Sequence, residues 1–309
     1  MTLFKRPDGK LATDVAPFRQ MMPFLMRTRT ESAVYFEQDL DLTKTQKFID
    51  DYNATHERRI TVFHLFTWAI AHVLHARPRM NRFVMGNRVY QRDGVWISYS
   101  AKKAMADGSP IVVLKRKFDP NMSFDQTVDF MHGDLKEGRS DKKSHMDKEL
   151  SLFLKLPAMV LAWGVNMVRW LDSVNLLPGS FIHPDPMYAS MFIANLGSVK
   201  LESAFHHLYE YGNIPLFAAL GRSKLVPVVD AQTGAVTSRK ICSVKYTFDE
   251  RIEDGLYCAH SLELLRTMVE DPQAFIDGQS APVRQLQVGT PASADSGMVK
   301  LNPGFAATV

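Results

Sequence analysis

Cysteine is scarce in this sequence, which has only Cys242 and Cys258 among its 309 residues. Two thiols without a metal-ligand spacing provide neither a disulfide framework nor a metal site, and they are typical of a reducing compartment. An excess of one charge is missing too, because 37 basic and 33 acidic residues leave a formal net charge of only +4. Since the basic residues form no long block, we expect no nucleic-acid partner.

Targeting and membrane-spanning segments are also lacking. Residues 1–9 have no apolar core of a signal peptide, so we expect a cytoplasmic protein. Residues 150–171 are strongly apolar, but Lys155, Pro157 and Arg169 interrupt them, and they do not qualify as a simple spanning helix. A glycine-rich phosphate fingerprint is absent as well, which argues against a doubly wound nucleotide fold.

What the sequence does contain is an alternation of strand and helix patterns. The dipeptide Asp93-Gly94 predicts a hairpin turn between two of the strands. With 46% hydrophobic residues the chain can bury a large core, and we expect an α/β fold arranged as a two-layer sandwich. The predicted strands are 33–40, 86–90, 95–99, 111–115, 191–196, 216–220 and 243–248, and the predicted helices are 43–53, 61–77, one from Ser123, and 255–269.

One segment carries a catalytic pattern. Residues 248–255, Phe-Asp-Glu-Arg-Ile-Glu-Asp-Gly, follow a strand pattern and open a helix. They resemble the His-x-x-x-Asp-Gly motif of the dihydrolipoyl acyltransferases of 2-oxoacid dehydrogenase complexes and of their chloramphenicol acetyltransferase relatives. Glu250 takes the histidine position, whereas Arg251, Asp254 and Gly255 match. The likeness to the family spans roughly residues 17–275. Four further segments resemble family patterns in the same order, namely 61–81, 108–112, 192–197 and 218–221.

The resemblance implies a chloramphenicol-acetyltransferase-like sandwich that forms a homotrimer with active-site channels at the subunit interfaces. It implies CoA or acyl-CoA as substrate, with no covalently bound cofactor and no metal. A larger cage and co-assembly with an active acyltransferase stay open. We expect an arm at 1–16, too short for the family's lipoyl domains, a catalytic-domain-like body at 17–276 with an apolar helical insertion at 150–185, and a mostly disordered tail at 277–309.

The sequence departs from the family at the two positions that carry the chemistry. In the family the histidine takes a proton from the acceptor and a serine donates a hydrogen bond to the tetrahedral oxyanion, but these positions hold Glu250 and Ala194 here. Losing one oxyanion donor typically costs ~10²–10³ in rate. An unperturbed glutamate has a pKa about 4 units below that of a thiol, a gap of about 5–6 kcal/mol. We therefore expect a catalytically degenerate protein that serves as an oligomeric scaffold or binds acyl-CoA.

An active acyltransferase is the alternative interpretation. Burial raises the pKa of a carboxyl group, so Glu250 would act as general base, with Asn195 or a backbone amide as the oxyanion donor. Asp254 would then support Glu250. In the other interpretation it is structural, in an ion pair with Arg251, and Gly255 allows a tight entry into the helix.

Histidines elsewhere offer other candidates for a base. His206 and His207 belong to the region that lies near the channel in the family, although a histidine pair in a polar loop is more often structural or exposed. His260 would have to face the channel from the last helix. His72 and His75 have i, i+3 spacing without a third ligand, which predicts no metal site.

The apolar residues 150–171 allow three interpretations. Their helical stripe includes Trp163 and Trp170. In the first interpretation this stripe packs against the core or against a trimer neighbour. In the second it docks on a membrane surface, with Lys155 and Arg169 near the headgroups. In the third it forms a lid over an acyl pocket. Docking on a membrane would make the protein a membrane-surface scaffold.

Overall fold

A computed structural model describes residues 5–102, 106–138, 156–230 and 232–276. Its strands are β1 (Gly9–Leu11), β2 (Ala33–Asp41), β3 (Arg82–Met85), β4 (Arg88–Arg92), β5 (Val95–Lys102), β6 (Ile111–Phe118), β7 (Met191–Asn195), β8 (Leu216–Val229) and β9 (Val236–Asp249). Its helices are α1 (Pro17–Leu25), α2 (Thr43–Thr55), α3 (Val62–Ala76), α4 (Phe124–Gly138), α5 (Ala158–Ser173), α6 (Gly179–Ile182), α7 (Gly255–Glu270) and α8 (Pro272–Ile276). Short 3-10 turns occupy Pro78–Asn81 and Leu196–Val199.

Six strands form one mixed sheet in the order β2-β9-β8-β7-β5-β6. Strand β7 runs parallel to β5 and β8, and the other neighbours are antiparallel. Helices α2, α3, α4 and α7 pack on one side, which we term the helix face, and together with the sheet they enclose the main core. Helix α3 is apolar on nearly every side and is buried almost throughout, as expected for a central helix. The predicted two-layer α/β sandwich is confirmed.

The opposite side of this sheet is termed the outer face. Because side chains alternate along a strand, Ile193 and Ala218 point to the helix face while Phe192, Phe217 and Ala219 point to the outer face. The segment 200–213 covers part of the outer face, where Leu208 packs in the same apolar cluster as Phe192 and Phe217. The outer face therefore has its own small core.

A second sheet of three strands, β1-β4-β3, corrects two expectations. Asp93-Gly94 does not close a hairpin, because β4 pairs with β1 and β3 whereas β5 belongs to the larger sheet. Residues 5–16 are also more than an arm. Buried Arg6 forms ion pairs of 2.8 Å with Asp8 and with Asp172, and buried charges require such partners.

Helix α5 lies within the predicted apolar insertion at 150–185, and its contacts with the rest of the fold are at its C-terminal end. Asp172 is buried there and accepts a hydrogen bond from the Tyr188 hydroxyl at 3.0 Å. Val168 and Leu171 pack against the small buried cluster of Leu177, Ile182 and Tyr188. Trp163 and Trp170 instead are 65% and 59% exposed, so most of the apolar stripe of α5 is not covered by the described part of the chain. None of the described helices is long and apolar enough to cross a membrane. Lys155 and the tail from residue 277 lie outside the described residues.

Candidate functional site

The turn after β9 fixes the backbone of Glu250 from two sides. The Glu250 amide donates to the Ser32 carbonyl oxygen at 3.1 Å, and Nη1 of Arg19 donates to the Glu250 carbonyl oxygen at 2.9 Å. Among the residues that the structure describes, no group forms a hydrogen bond or ion pair with the Glu250 carboxylate. Glu250 is thus anchored at its backbone, and its carboxylate has no orienting partner among the described residues.

Arg251 does not pair with Asp254, contrary to the expectation from the family. Its Nε and Nη2 donate to the two carboxylate oxygens of Asp249 at 2.8 and 2.7 Å. Ser32 Oγ donates a further hydrogen bond to Asp249 at 2.9 Å. The pairing has a physical cause, because Asp249 is fully buried at the end of β9 and its charge needs a bidentate partner.

Asp254 instead caps helix α7. Its carboxylate accepts a hydrogen bond from the Tyr257 amide at 2.8 Å, and this bond is the largest of the causes that hold the pKa of Asp254 below its usual value. The structure also gives Gly255 no steric role within the chain, because a Cβ added there would meet no atom within 4 Å. Within the described chain, the space around position 255 therefore does not require a glycine.

Glu253 is a buried carboxylate that the sequence analysis missed. Three arginines surround it: Arg82 and Arg79 each at 3.3 Å and Arg19 at 3.8 Å. These arginines come from β3, a 3-10 turn and α1, so no local pattern in residues 248–255 could identify them. The cluster ties the turn after β9 to the N-terminal part of the fold.

Ala194 and Asn195 are the last two residues of strand β7, which lies two strands away from β9 in the six-stranded sheet. Asn195 Oδ1 accepts a hydrogen bond from the Ser198 amide at 3.2 Å and so caps the 3-10 turn at Leu196–Val199. Its Nδ2 forms no hydrogen bond with any described residue, so this group could still donate to a ligand. Ala194 itself offers no donor from its side chain.

Two glycines explain the matches at 192–197 and 218–221. A Cβ at Gly197 would lie 2.8 Å from the carbonyl oxygen of Gly221, and a Cβ at Gly221 would lie 2.5 Å from the Ser203 amide nitrogen. The β-bulge in β8 therefore lies in direct backbone contact with the 3-10 turn and with the start of segment 200–213, and these contacts leave no room for a Cβ. These motifs are architectural.

Glu250 and Ala194 are far apart within one chain. Ala194 pairs with Ala219, which pairs with Lys245, and Glu250 follows Lys245 by five residues. Two strand spacings of about 4.8 Å and five residues of about 3.4 Å each separate the two positions by roughly 20 Å. They cannot act on one reacting atom unless two copies of the chain meet.

The histidines occupy different parts of the fold. His206 and His207 lie in segment 200–213 over the outer face, where their rings stack at 4.7 Å. His260 is exposed on α7. His72 Nδ1 and His75 Nε2 donate to the carbonyl oxygens of Trp68 and Phe118, both at 2.9 Å. In the described ranges no three histidine, cysteine or acidic side chains are grouped in a way that could hold a metal ion.

An apolar cavity of about 30 Å³ lies on the helix face between α3, α7 and the sheet. Its lining includes Met191, Tyr246 and Cys258. It has room for about one water molecule and is therefore far too small for an acyl-CoA.

The fold is that of acyltransferase catalytic cores. A dihydrolipoamide acetyltransferase of Azotobacter vinelandii, studied for the catalytic role of a serine, a histidine and an asparagine, is 18% identical and has a TM-score of 0.56, with 89% of this chain and 94% of that chain covered. A Listeria monocytogenes protein described as a probable dihydrolipoamide acetyltransferase is 15% identical, with a TM-score of 0.56 over 85% of this chain and 95% of that chain. A chloramphenicol acetyltransferase is 11% identical, with a TM-score of 0.53 over 85% and 98%.

No protein-family model matches the sequence, and no curated protein matches it. The solved structures therefore carry the comparison, and they establish the chloramphenicol-acetyltransferase-like fold that the sequence motifs predict.

Proposed function

We propose that this protein binds acyl thioesters such as acyl-CoA on an acyltransferase fold and has lost the family's chemistry at positions 194 and 250. The observation that carries the proposal is the Glu250 carboxylate, which has no orienting partner among the described residues although the turn around it is tightly held.

A general base works when a second group holds it in position toward the proton that it removes. Every other acidic side chain between Asp249 and Asp254 has a partner: Asp249 has Arg251, Glu253 has three arginines, and Asp254 has the Tyr257 amide. Glu250 has none, and Ala194 supplies no oxyanion donor. Both losses favour a degenerate family site.

The proposed protein is a homotrimer. The roughly 20 Å between Ala194 and Glu250 in one chain supports this, because a family-type site would need the two positions from neighbouring copies. Exposed apolar side chains on α1 support it as well, since Phe18 is 71% and Leu25 60% exposed. One structure with the same fold, at 16% identity and a TM-score of 0.50, is the cubic core of a pyruvate dehydrogenase complex. The proposed trimer could assemble further, either into a cage of trimers or together with an active acyltransferase.

Two measurements test the proposal. Titration calorimetry with CoA and acetyl-CoA should detect binding, and absence of binding would contradict an acyl-thioester site. The double variant Ala194→Ser/Glu250→His should gain acyl transfer from acetyl-CoA to dihydrolipoamide without a change of oligomer, as measured by light scattering. Ala194→Ser alone is the matched control, because it restores the donor without the base.

An active enzyme with Glu250 as base is the second candidate. The unpaired Nδ2 of Asn195 favours it, because this group is a candidate oxyanion donor beside Ala194. Turnover that disappears in Glu250→Gln and in Asn195→Ala would support this candidate. Turnover that survives both substitutions would remove it.

A membrane-surface scaffold is the third candidate, favoured by the exposed tryptophans of α5. Co-sedimentation with vesicles of zwitterionic and anionic lipid tests it. Loss of pelleting in Trp163→Ser/Trp170→Ser would support a membrane surface, whereas wild type that stays in the supernatant would exclude it.

A further inference from the structure

Helix α5 presents a narrow apolar seam to solvent. Val160, Trp163, Met167 and Trp170 follow one another at steps of three, four and three residues, and Val174 comes four residues later, directly after the helix. This spacing puts them on one face of the helix. Each of the five is at least 36% exposed. We term these five residues the α5 seam, and the described part of the chain leaves it largely uncovered.

The other side of the helix holds α5 to the fold. Val168 and Leu171 pack on the buried cluster that contains Tyr188, and buried Asp172 forms an ion pair of 2.8 Å with Arg6. These side chains point away from the seam, because they are offset from it around the helix. The seam is therefore kept facing outward by contacts in which it takes no part.

The spacing and the charges of α5 favour a helix as the partner of the seam. Alternating steps of three and four residues are typical of side chains that interlock between two helices. A helix that lies on a membrane surface is instead rich in lysine and arginine on its polar side. In Ala158–Ser173 the charged residues are Arg169 and Asp172 alone, and Asp172 is already paired inside the fold.

The seam is complementary to itself when two copies run antiparallel. With a two-fold axis level with residue 165, Trp163 faces Met167 of a second copy and Trp170 faces Val160 of that copy. Each layer then combines one tryptophan with a smaller side chain, whereas a parallel pair would oppose tryptophan to tryptophan. Large and small side chains in facing positions fill space well. Since the seam carries no charge, two identical helices do not repel each other across it.

The apolar area of the seam is large enough to matter for a stable contact. A tryptophan side chain can bury up to about 250 Å². At exposures of 65% and 59%, Trp163 and Trp170 of two copies together offer about 600 Å². This is more than half of the roughly 1,000 Å² that a specific interface requires, before the other seam side chains are counted.

We propose that the α5 seam is a two-fold contact between copies of this chain, in which two α5 helices pack antiparallel. The contact is independent of acyl-thioester binding. It also uses a different surface from the exposed face of α1 that supports the trimer. A two-fold contact added to a three-fold one gives a hexamer or a larger closed assembly.

Met167→Glu tests the contact, with Val165→Glu as the matched control. Both positions hold an exposed apolar side chain of α5, at 40% and 45%, but Val165 lies on the side opposite the seam. Light scattering after size exclusion, over a series of concentrations, measures the mass. Met167→Glu should raise the dissociation constant of the contact by about 30-fold or more. It should release trimers if the proposed trimer forms, and monomers otherwise. Val165→Glu should keep the mass of wild type.

Cysteine cross-linking tests the antiparallel arrangement. Trp163→Cys and Met167→Cys should form a disulfide between copies when the two variants are mixed, at a concentration where both remain assembled, and neither should do so alone. The native Cys242 and Cys258 are buried and do not compete. Cross-linking of Trp163→Cys with itself would contradict the antiparallel contact.

Three further results would overturn the proposal. Equal mass of wild type and Met167→Glu would show that the seam joins no copies. Equal dissociation of Val165→Glu and Met167→Glu, with both folded by circular dichroism, would remove the seam as the cause. Wild type that does not associate through α5 but pellets with lipid vesicles, and loses pelleting in Met167→Glu, would identify a lipid surface instead. Failure of CoA binding in calorimetry contradicts the proposed function alone and leaves the α5 contact standing.

Discussion

Arg251 and Asp249 form a two-bond ion pair, with 2.8 Å between Nε and Oδ1 and 2.7 Å between Nη2 and Oδ2. Both side chains are almost fully buried, and the pair stands immediately before and after Glu250. Arg251 also donates to the Met26 carbonyl oxygen at 3.1 Å, so the pair connects the end of β9 to the end of α1.

Arg251→Ala should therefore destabilise the fold strongly. Breaking a buried pair leaves the charge of Asp249 unmatched, which typically costs about 3–5 kcal/mol. Urea denaturation followed by circular dichroism measures the change. A loss below about 1 kcal/mol would mean that the pair is solvated or absent; this is the range of exposed pairs.

Asp254 should behave as a helix cap. Asp254→Ala should cost about 1 kcal/mol, whereas Asp254→Asn should be nearly neutral because asparagine caps equally well. The comparison of the two variants separates a hydrogen-bond cap from an ion pair. If both variants lost equal stability, the charge of Asp254 would matter and an ionic role would be indicated.

Stability should fall as the pH drops from about 6.5 toward about 4, in part because of His64. This histidine is buried at the start of α3; its Nδ1 accepts from the Thr61 amide at 3.2 Å, and its Nε2 has no hydrogen-bond partner among the residues that the structure describes. Burial lowers the pKa of His64 from 6.5 to about 4. In this window the unfolded chain takes up a proton that the native chain does not, so the loss approaches about 3 kcal/mol.

His64→Gln should remove that part of the pH dependence, since glutamine at this position can still complete the cap with Thr61. His260→Gln, at an exposed position, is the control. Denaturation midpoints at a series of pH values test the prediction, and an unchanged slope in His64→Gln would contradict it.

Two glycine substitutions should have opposite effects. Gly221→Ala forces a Cβ to 2.5 Å from the Ser203 amide nitrogen, and such overpacking typically costs about 1–3 kcal/mol. Gly255→Ala meets no atom within 4 Å and should stabilise α7 by about 0.4–1 kcal/mol through the unfolded state. Thermal unfolding of both variants measures the signs. If the Gly255→Ala variant unfolded at a lower temperature and its oligomer dissociated, Gly255 would be in contact with a second copy of the chain.

Local patterns predicted much of the fold. Helix α3 was expected at 61–77 and occupies Val62–Ala76, because an apolar run between Thr61 and Pro78 determines both ends. Asp93-Gly94 was misinterpreted for a physical reason. Its sequence determines a turn, with Gly94 at a φ of 74°, but does not determine which strands pair on either side.

The site was less predictable than the fold. The motif located the turn at 249–254, but the partner of Arg251 depends on the burial of Asp249, which no spacing reveals. Glu253 was missed because its arginines are 171 or more residues away along the chain, as with Arg82.

The central claim is that Glu250 has not taken over the histidine's role. The most direct measurement compares acyl transfer from acetyl-CoA to dihydrolipoamide by wild type and by Glu250→Gln, with CoA binding measured for both. We predict equal binding and no effect of Glu250→Gln on the rate, whatever rate wild type has. Wild-type turnover that disappears in Glu250→Gln would contradict the claim and identify Glu250 as the base.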